Sequence, residues 1–97
     1  MIRHTVVFTL RHEPDSEAER VFLEKARELA TIPTVQNFEQ LRQVSPKCDY
    51  AFGFSMEFAD QAAYDTYNNH PLHQRFVEEI WLNEVSSFQE IDYQPLV

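Results

Sequence analysis

Glycine, cysteine and basic residues are all scarce in this chain, and each scarcity excludes a class of site. A single glycine in 97 residues leaves no glycine-rich loop of the kind that cradles phosphates. The lone Cys48 cannot form a disulfide within the chain, which favours a reducing compartment, and we expect a cytoplasmic protein. No apolar run approaches the length of a membrane span, and no charged-then-apolar leader opens the sequence.

The charge balance is strongly acidic, with 16 acidic residues against 8 basic ones and a formal net charge of −8. No stripe of Lys and Arg could neutralise the phosphates of a nucleic acid, so neither nucleic acids nor anionic membranes are expected partners. Aromatic residues make up 13% of the chain. Their large side chains supply the buried area that one compact domain of this size needs for its core.

Period-two alternation of side chains predicts the strands. Residues 2–10 place Ile2, His4, Val6, Phe8 and Leu10 on one face, and residues 50–58 alternate large apolar with smaller side chains. A less regular extended segment is predicted over residues 35–44, and a last strand over residues 85–93. The large residues of each strand are expected to face the core.

Capping residues and prolines predict the helices. Ser16 and Glu19 resemble a capping box that opens a first helix running to about Ala30. Asp60 is a natural N-cap for a short helix over residues 61–69, and Pro71 both ends that helix and opens the next. The order β-α-β-β-α-β predicts a ferredoxin-like α+β protomer, an antiparallel four-stranded sheet with helices on one face.

The sheet face left without helices is unusually neutral. In the first and third strands its residues are Thr5, Val7, Thr9, Ala51, Gly53 and Ser55, with Glu57 the only charge. Such a face is either exposed to water, since Thr is a good strand former, or covered by a second copy of the chain. We favour the second interpretation, which predicts a two-fold homodimer of packed sheets.

The segment from Tyr67 to His73 places one phenol and two imidazoles within seven residues, around a helix-breaking proline. His73 follows Pro71 in the first turn of a helix, whose positive end would keep the imidazole neutral. A neutral His73 beside the Tyr67 hydroxyl is a proton-transfer pair, and Asp92 on the last strand could orient the His73 ring. His70 precedes proline and is expected to serve the turn.

The same residues also have purely structural interpretations. His4 points between sheet and helices, either as a core histidine with a satisfied partner or, together with Asp92, as a substrate-binding group. Tyr67 could equally be an ordinary half-buried tyrosine. A metal site at His70 and His73 is disfavoured, because Pro71 spoils the shared helical face and no third ligand lies nearby. We expect neither a metal nor an organic cofactor.

Five short stretches, spread in order over almost the whole chain, carry a resemblance to a known family. They are His4-Thr5-Val6-Val7-Phe8, Ile32-Pro33, Phe52-Gly53-Phe54 with Phe58, His70-Pro71-Leu72-His73 and Ile91-Asp92-Tyr93. Together they resemble the stress-responsive A/B barrel (Dabb) domain, a branch of the dimeric α+β barrel superfamily. The resemblance implies one Dabb domain over residues 1–97, whose sheet pairs with that of its twin to close a barrel.

Within that family the chain is also similar to olivetolic acid cyclase, a plant polyketide cyclase that uses no metal or organic cofactor. That resemblance implies Tyr67 and His73 as the acid-base pair of an aldol cyclisation, with His4 lining the pocket. The cyclase's histidine on the third strand is Phe52 here, so the pockets of the two proteins differ at this position.

Two functions stay open at this point. The first, which we favour, is a dimeric Dabb protein that holds a small molecule in a cavity without an established reaction. The second is a cofactor-independent, cyclase-like or aldolase-like enzyme acting on a small hydrophobic carbonyl compound through Tyr67 and His73. A working site requires an open pocket of roughly 300 Å³ or more, lined by both of these residues.

Overall fold

Four strands and the helical segments between them follow one another in the predicted order. The computed structural model describes residues 1–97. The elements are β1 (Ile2–Leu10), α1 (Glu17–Ala26), β2 (Gln36–Arg42), β3 (Phe52–Phe58), α2 (Gln61–Asn69), α3 (Pro71–Phe76), α4 (Leu82–Glu84) and β4 (Val85–Tyr93). A 3₁₀ turn at Arg27–Thr31 extends α1, and a π-helical turn at Val77–Trp81 joins α3 to α4.

The strands form one antiparallel sheet in the order β2-β3-β1-β4. On the central strand β1, Val6 lies opposite Phe54 of β3 and opposite Glu90 of β4. The helices pack against the face that carries Phe8 and Phe58, as the contacts of these rings with α1 and α2 show. This is the ferredoxin-like α+β fold that the pattern predicts.

Three side-chain caps explain where the helices begin. Ser16 Oγ accepts a hydrogen bond from the Glu19 amide at 3.2 Å, and Asp60 Oδ1 accepts one from the Ala63 amide at 2.8 Å. His70 Nδ1 accepts one from the Leu72 amide at 3.1 Å, which ends α2 and opens α3. The prediction that His70 serves the turn is therefore confirmed.

Some boundaries differ from the prediction. Strand β3 begins at Phe52, because the side-chain amide of Gln43 donates to the carbonyls of Cys48 and Tyr50 and holds that segment in a loop. The first helix tightens into a 3₁₀ turn at Arg27 instead of staying α-helical to Ala30. The second strand is shorter than its predicted 35–44, whereas α2 and β4 have the predicted bounds.

The core between the sheet and the helices has two ends of different chemistry. At one end the Phe8 ring centroid lies 4.7 Å from that of Phe54 and 5.0 Å from that of Trp81. We call the buried rings Phe8, Phe22, Phe54, Phe76 and Trp81 the aromatic end. We call the residues His4, Tyr64, Tyr67, His73 and Asp92 the polar end. None of the helices has the length and hydropathy that a membrane crossing requires.

Candidate functional site

His4 is buried on β1 and is held by side chains from two other elements. Its Nδ1 lies 2.6 Å from Asp92 Oδ1 on β4 and 2.8 Å from the Tyr64 hydroxyl on α2. The Tyr64 hydroxyl itself donates to Asp92 Oδ2 at 2.9 Å. Because an ionised carboxylate can only accept hydrogen bonds, His4 Nδ1 must carry the proton. In the neutral ring, Nε2 is then free to accept a hydrogen bond.

Tyr67 and His73 form a second pair, with ring centroids 4.4 Å apart. Pro71 separates α2 from α3, and the turn at this proline brings His73 back against the last turn of α2. His73 Nδ1 donates to the carbonyl of Asn68 at 3.2 Å, which leaves its Nε2 free as an acceptor. Tyr67 is only 2% exposed, and no hydrogen bond within the protein engages its hydroxyl, in contrast with Tyr64.

Burial sets the protonation of this second pair. Burial raises the pKa of the Tyr67 phenol above its ordinary value of 10.0, and the Glu90 carboxylate adds to the rise. Burial also lowers the pKa of His73 below its ordinary value of 6.5, although the Asn68 carbonyl opposes this shift. Tyr67 is therefore a donor and His73 a neutral acceptor at pH 7. The direction of the His73 shift agrees with the expected neutral ring, and burial is its largest cause.

His4 and the pair of Tyr67 and His73 border one cavity of about 230 Å³ between the sheet and the helical segment that follows Pro71. Its polar groups come from His4, Tyr67, His73 and Glu90, and the other residues of its wall are apolar. Phe54, Trp81, Leu82 and Phe88 contribute much of that apolar wall. This volume falls short of the roughly 300 Å³ set above as the requirement for a working site, and it suits a small organic molecule rather than a drug-sized one.

The structure places the predicted site residues in two groups instead of one. His4, Tyr67 and His73 line the cavity together. Asp92 bonds to His4, and His73 bonds to a backbone carbonyl, so the predicted partnership of Asp92 with His73 is wrong. The reason is strand register, because β4 runs antiparallel beside β1 and sets Asp92 directly opposite His4. No three His, Cys, Asp or Glu side chains converge as metal ligands would.

Sequence reasoning missed two residues of this region, Tyr64 and Glu90. Tyr64 precedes Tyr67 by three positions on α2, so the two phenols share a helix face, and that spacing could have revealed Tyr64. Glu90 lies between Phe88 and Asp92 in the alternation of β4, which places all three on the inner face. The parity of β4 was therefore a usable signal for Glu90.

The family described as Stress responsive A/B Barrel Domain matches residues 2–95. The chain belongs to this family. A Dabb family protein with a ferredoxin-like fold from Mesorhizobium loti is 61% identical to this Dabb chain, with a TM-score of 0.97. The alignment covers 99% of this chain and 97% of that one. A search of the curated proteins found no match.

More distant structures share the fold of this Dabb chain. One from Arabidopsis thaliana is 21% identical, with a TM-score of 0.86 over 100% of this chain and 97% of that one. A hydroxynitrile lyase from Passiflora edulis is 14% identical, with a TM-score of 0.85 over 99% of this chain and 94% of that one. Identities this low show the fold alone. The likeness to olivetolic acid cyclase is tested by none of these comparisons and stays a prediction.

Proposed function

We propose that this Dabb protein binds a small carbonyl-bearing molecule in the cavity between the sheet and the helices. The observation that supports this most strongly is the Tyr67 hydroxyl, which has no protein partner and belongs to a residue that lines the cavity and is only 2% exposed. A hydroxyl that is open to a cavity can donate its hydrogen bond to a ligand or to water. A carbonyl oxygen is the simplest group that accepts from it.

The rest of the cavity suits such a ligand. Free Nε2 atoms of His4 and His73 would accept hydrogen bonds from a hydroxyl group on the same molecule. Phe54, Trp81 and Phe88 would contact its hydrocarbon part. A mostly apolar wall with a few convergent polar groups is typical of small-molecule sites.

Thermal shift with a panel of small aldehydes and ketones tests this proposal. We expect compounds that raise the melting temperature of the wild type, because a ligand that binds only the folded state stabilises it by mass action. The His73→Ala variant should lose these shifts. The matched control is Gln74→Ala, which changes the next, exposed residue of α3 and should keep them. A panel without any hit on the wild type would contradict the proposal.

The contact between Tyr67 and His73 favours a second candidate, an acid-base reaction at the carbonyl without a cofactor. His73 Nε2 would remove a proton from the carbon next to the carbonyl, and the Tyr67 hydroxyl would donate to the enolate oxygen that forms. The enolate carbon could then attack a second carbonyl, as in aldol or polyketide cyclisation. Burial keeps both groups in the required protonation states by shifting the pKa of each.

Hydrogen exchange at the ligand tests this second candidate directly. A ketone that binds should exchange its α-protons with D₂O faster in the presence of the wild type, as followed by NMR. Tyr67→Phe and His73→Ala should each slow this exchange by about 10²–10⁴-fold, the usual contribution of one positioned acid or base. If the α-protons exchange no faster with the wild type than in buffer alone, the protein binds the ketone without catalysing this reaction.

We further propose that the protein acts as a homodimer joined through the outer face of the sheet. Thr5, Val7, Thr9 and Ser55 are neutral and only half-buried there, and the Glu57 carboxylate is paired with Arg3 at 3.8 Å. Leu41 and Ile91 add exposed apolar surface to the same face. Relatives from Bacteroides fragilis and Thermobifida fusca are described as dimeric proteins with this type of fold.

Analytical ultracentrifugation tests the dimer. We expect a particle of twice the 11.5 kDa chain mass at micromolar concentration. The Val7→Lys substitution should give monomers, because it buries a charge in the centre of the proposed interface. Gln74→Lys adds the same charge on an exposed helix position and should leave the dimer intact. A wild type that sediments as one chain would contradict this proposal.

A further inference from the structure

Glu90 has the only acidic side chain of the cavity wall, and His4 and His73 have the only basic ones. It lies on β4 directly opposite Val6, on the same sheet face as His4. No Lys or Arg lines the cavity. The ion pairs of the protein use other carboxylates, including Glu57, Glu84 and Asp92, so no cation neutralises Glu90.

The charge of Glu90 reaches the polar groups where a ligand would lie. Its carboxylate contributes to the raised pKa of Tyr67 and opposes the lowering of the pKa of His73. Both effects are those of a negative charge close to the two rings. The same charge would repel an anion placed beside them and attract a cation, although water screens part of it because Glu90 is exposed.

We propose that Glu90 makes the cavity select against anions, so that the molecule held beside Tyr67 and His73 is neutral or cationic. This inference rests on the proposed binding function and narrows its ligand class. Aldehydes, ketones, esters and amides fit, as do carbonyl compounds that carry an amine. Free carboxylic acids, which are ionised at pH 7, do not fit.

The expected size of the selection follows from Coulomb's law. For unit charges roughly 6 Å apart, repulsion weakens binding about threefold at the dielectric constant of water and about a hundredfold at that of a protein surface. Glu90 lines the cavity but is itself exposed, so its effect lies between these limits. We expect an anion to bind about tenfold more weakly than a neutral molecule of the same shape.

Benzamide, benzoate and benzamidine provide this comparison, because they have nearly one shape and are neutral, anionic and cationic at pH 7. Each is titrated to millimolar concentration against the intact protein, and binding is followed by the amide NMR shifts around Tyr67 and His73. In the wild type, benzoate should bind about tenfold more weakly than benzamide, and benzamidine should bind at least as tightly. Added salt should narrow this gap.

Two variants locate the effect. In Glu90→Gln, benzoate should approach the affinity of benzamide, and benzamidine should lose its advantage. The matched control is Glu78→Gln, which removes the same charge from an exposed residue outside the cavity wall and should leave the gap unchanged. Their amide spectra report directly whether both variants fold.

Three other outcomes would contradict the proposal, each in a different way. Equal binding of benzamide and benzoate by the wild type, or a gap that salt does not change, overturns the selection and leaves the proposed binding function standing. If Glu78→Gln and Glu90→Gln change the affinity for benzoate equally, the selection comes from the net charge of the whole protein, and the role of Glu90 is overturned. If none of the three probes binds at millimolar concentration, both this inference and the proposed binding function fail.

Discussion

The aromatic end and the polar end of the core share the same strands but are stabilised in different ways. At the aromatic end, rings of Phe8, Phe54 and Trp81 contact one another. At the polar end, Tyr64 and Asp92 bond to His4, and residues of both ends line the cavity. The difference indicates that the first end supplies apolar packing, while the second supplies the hydrogen-bonding groups that can bind.

Strand β1 contributes to both ends of the core, and only four positions along it separate a residue of one end from a residue of the other. His4 and Phe8 lie on the same inner face of β1, and both are buried. Phe8 needs only apolar neighbours, whereas the His4 ring has polar atoms that cost free energy when buried without partners. Asp92 and Tyr64 supply those partners for one nitrogen and leave the other for the cavity.

The largest expected effect comes from breaking the aromatic end. Phe8→Ala should lower the free energy of unfolding by about 3–5 kcal/mol, because it removes a fully buried ring and leaves a hole among others. Urea unfolding measures this loss. Phe88→Ala is the control, since Phe88 pairs with Phe8 across the strands but is 47% exposed and should cost less than half as much. Equal losses would contradict the assigned role of the aromatic end.

A smaller loss is expected from breaking the support of His4. Asp92→Ala should lower the free energy of unfolding by about 1–2 kcal/mol, because it leaves the buried His4 Nδ1 with one partner instead of two. The Asp92 side chain is 40% exposed, so water competes for its carboxylate and limits the loss. Asp92→Asn keeps an acceptor oxygen and should lose less in the same urea experiment. An unchanged Asp92→Ala would show that the network does not stabilise the polar end.

Removing the hydroxyl of Tyr64 or of Tyr67 distinguishes the residue that stabilises the polar end from the residue that binds the ligand. Tyr64→Phe should cost about 1 kcal/mol, since its hydroxyl bonds to both His4 and Asp92. Tyr67→Phe should change stability by less than about 0.5 kcal/mol, because its hydroxyl has no protein partner, yet it should weaken ligand binding by about tenfold. Urea unfolding and the thermal-shift panel give the two readings. Similar losses of stability in both variants would refute this division.

The smallest expected effect is a pH dependence from His73. Its pKa is below 6.5 in the folded protein, so below about pH 6.5 the unfolded chain binds more protons than the folded one. Stability that is complete above this pH is therefore lost progressively as the pH falls towards the folded pKa. Between about pH 7 and pH 5, the wild type should lose more stability than His73→Gln in urea unfolding. Parallel curves for the two proteins would contradict a neutral, half-buried His73.

Much of the fold could be predicted because its signals are local. The bounds of α2 depend on Asp60 at its start and on Pro71 just beyond its end, and both act within a few residues. The start of β3 could not be predicted in this way. Residues 50 and 51 continue the strand pattern, but the Gln43 side chain binds the carbonyl of Tyr50 and holds it in the loop.

The candidate site was only partly predictable for the same reason. Tyr67 and His73 lie close in sequence around Pro71, and their contact follows from that spacing. The predicted partner of Asp92 was wrong, because its actual partner His4 lies 88 residues away and meets it only through the register of β1 and β4. Tyr64 joins the same network from a third element.

By itself, the sequence determined the order of the elements and which side chains face the core, because alternation, capping and proline geometry act over a few neighbouring residues. It also determined the neutral outer face of the sheet. Only the tertiary structure decided which inward groups meet. The register of β1 and β4 brings Asp92 to His4, and the packing of α2 and α3 on the sheet encloses the cavity. Both depend on contacts between residues far apart in the chain.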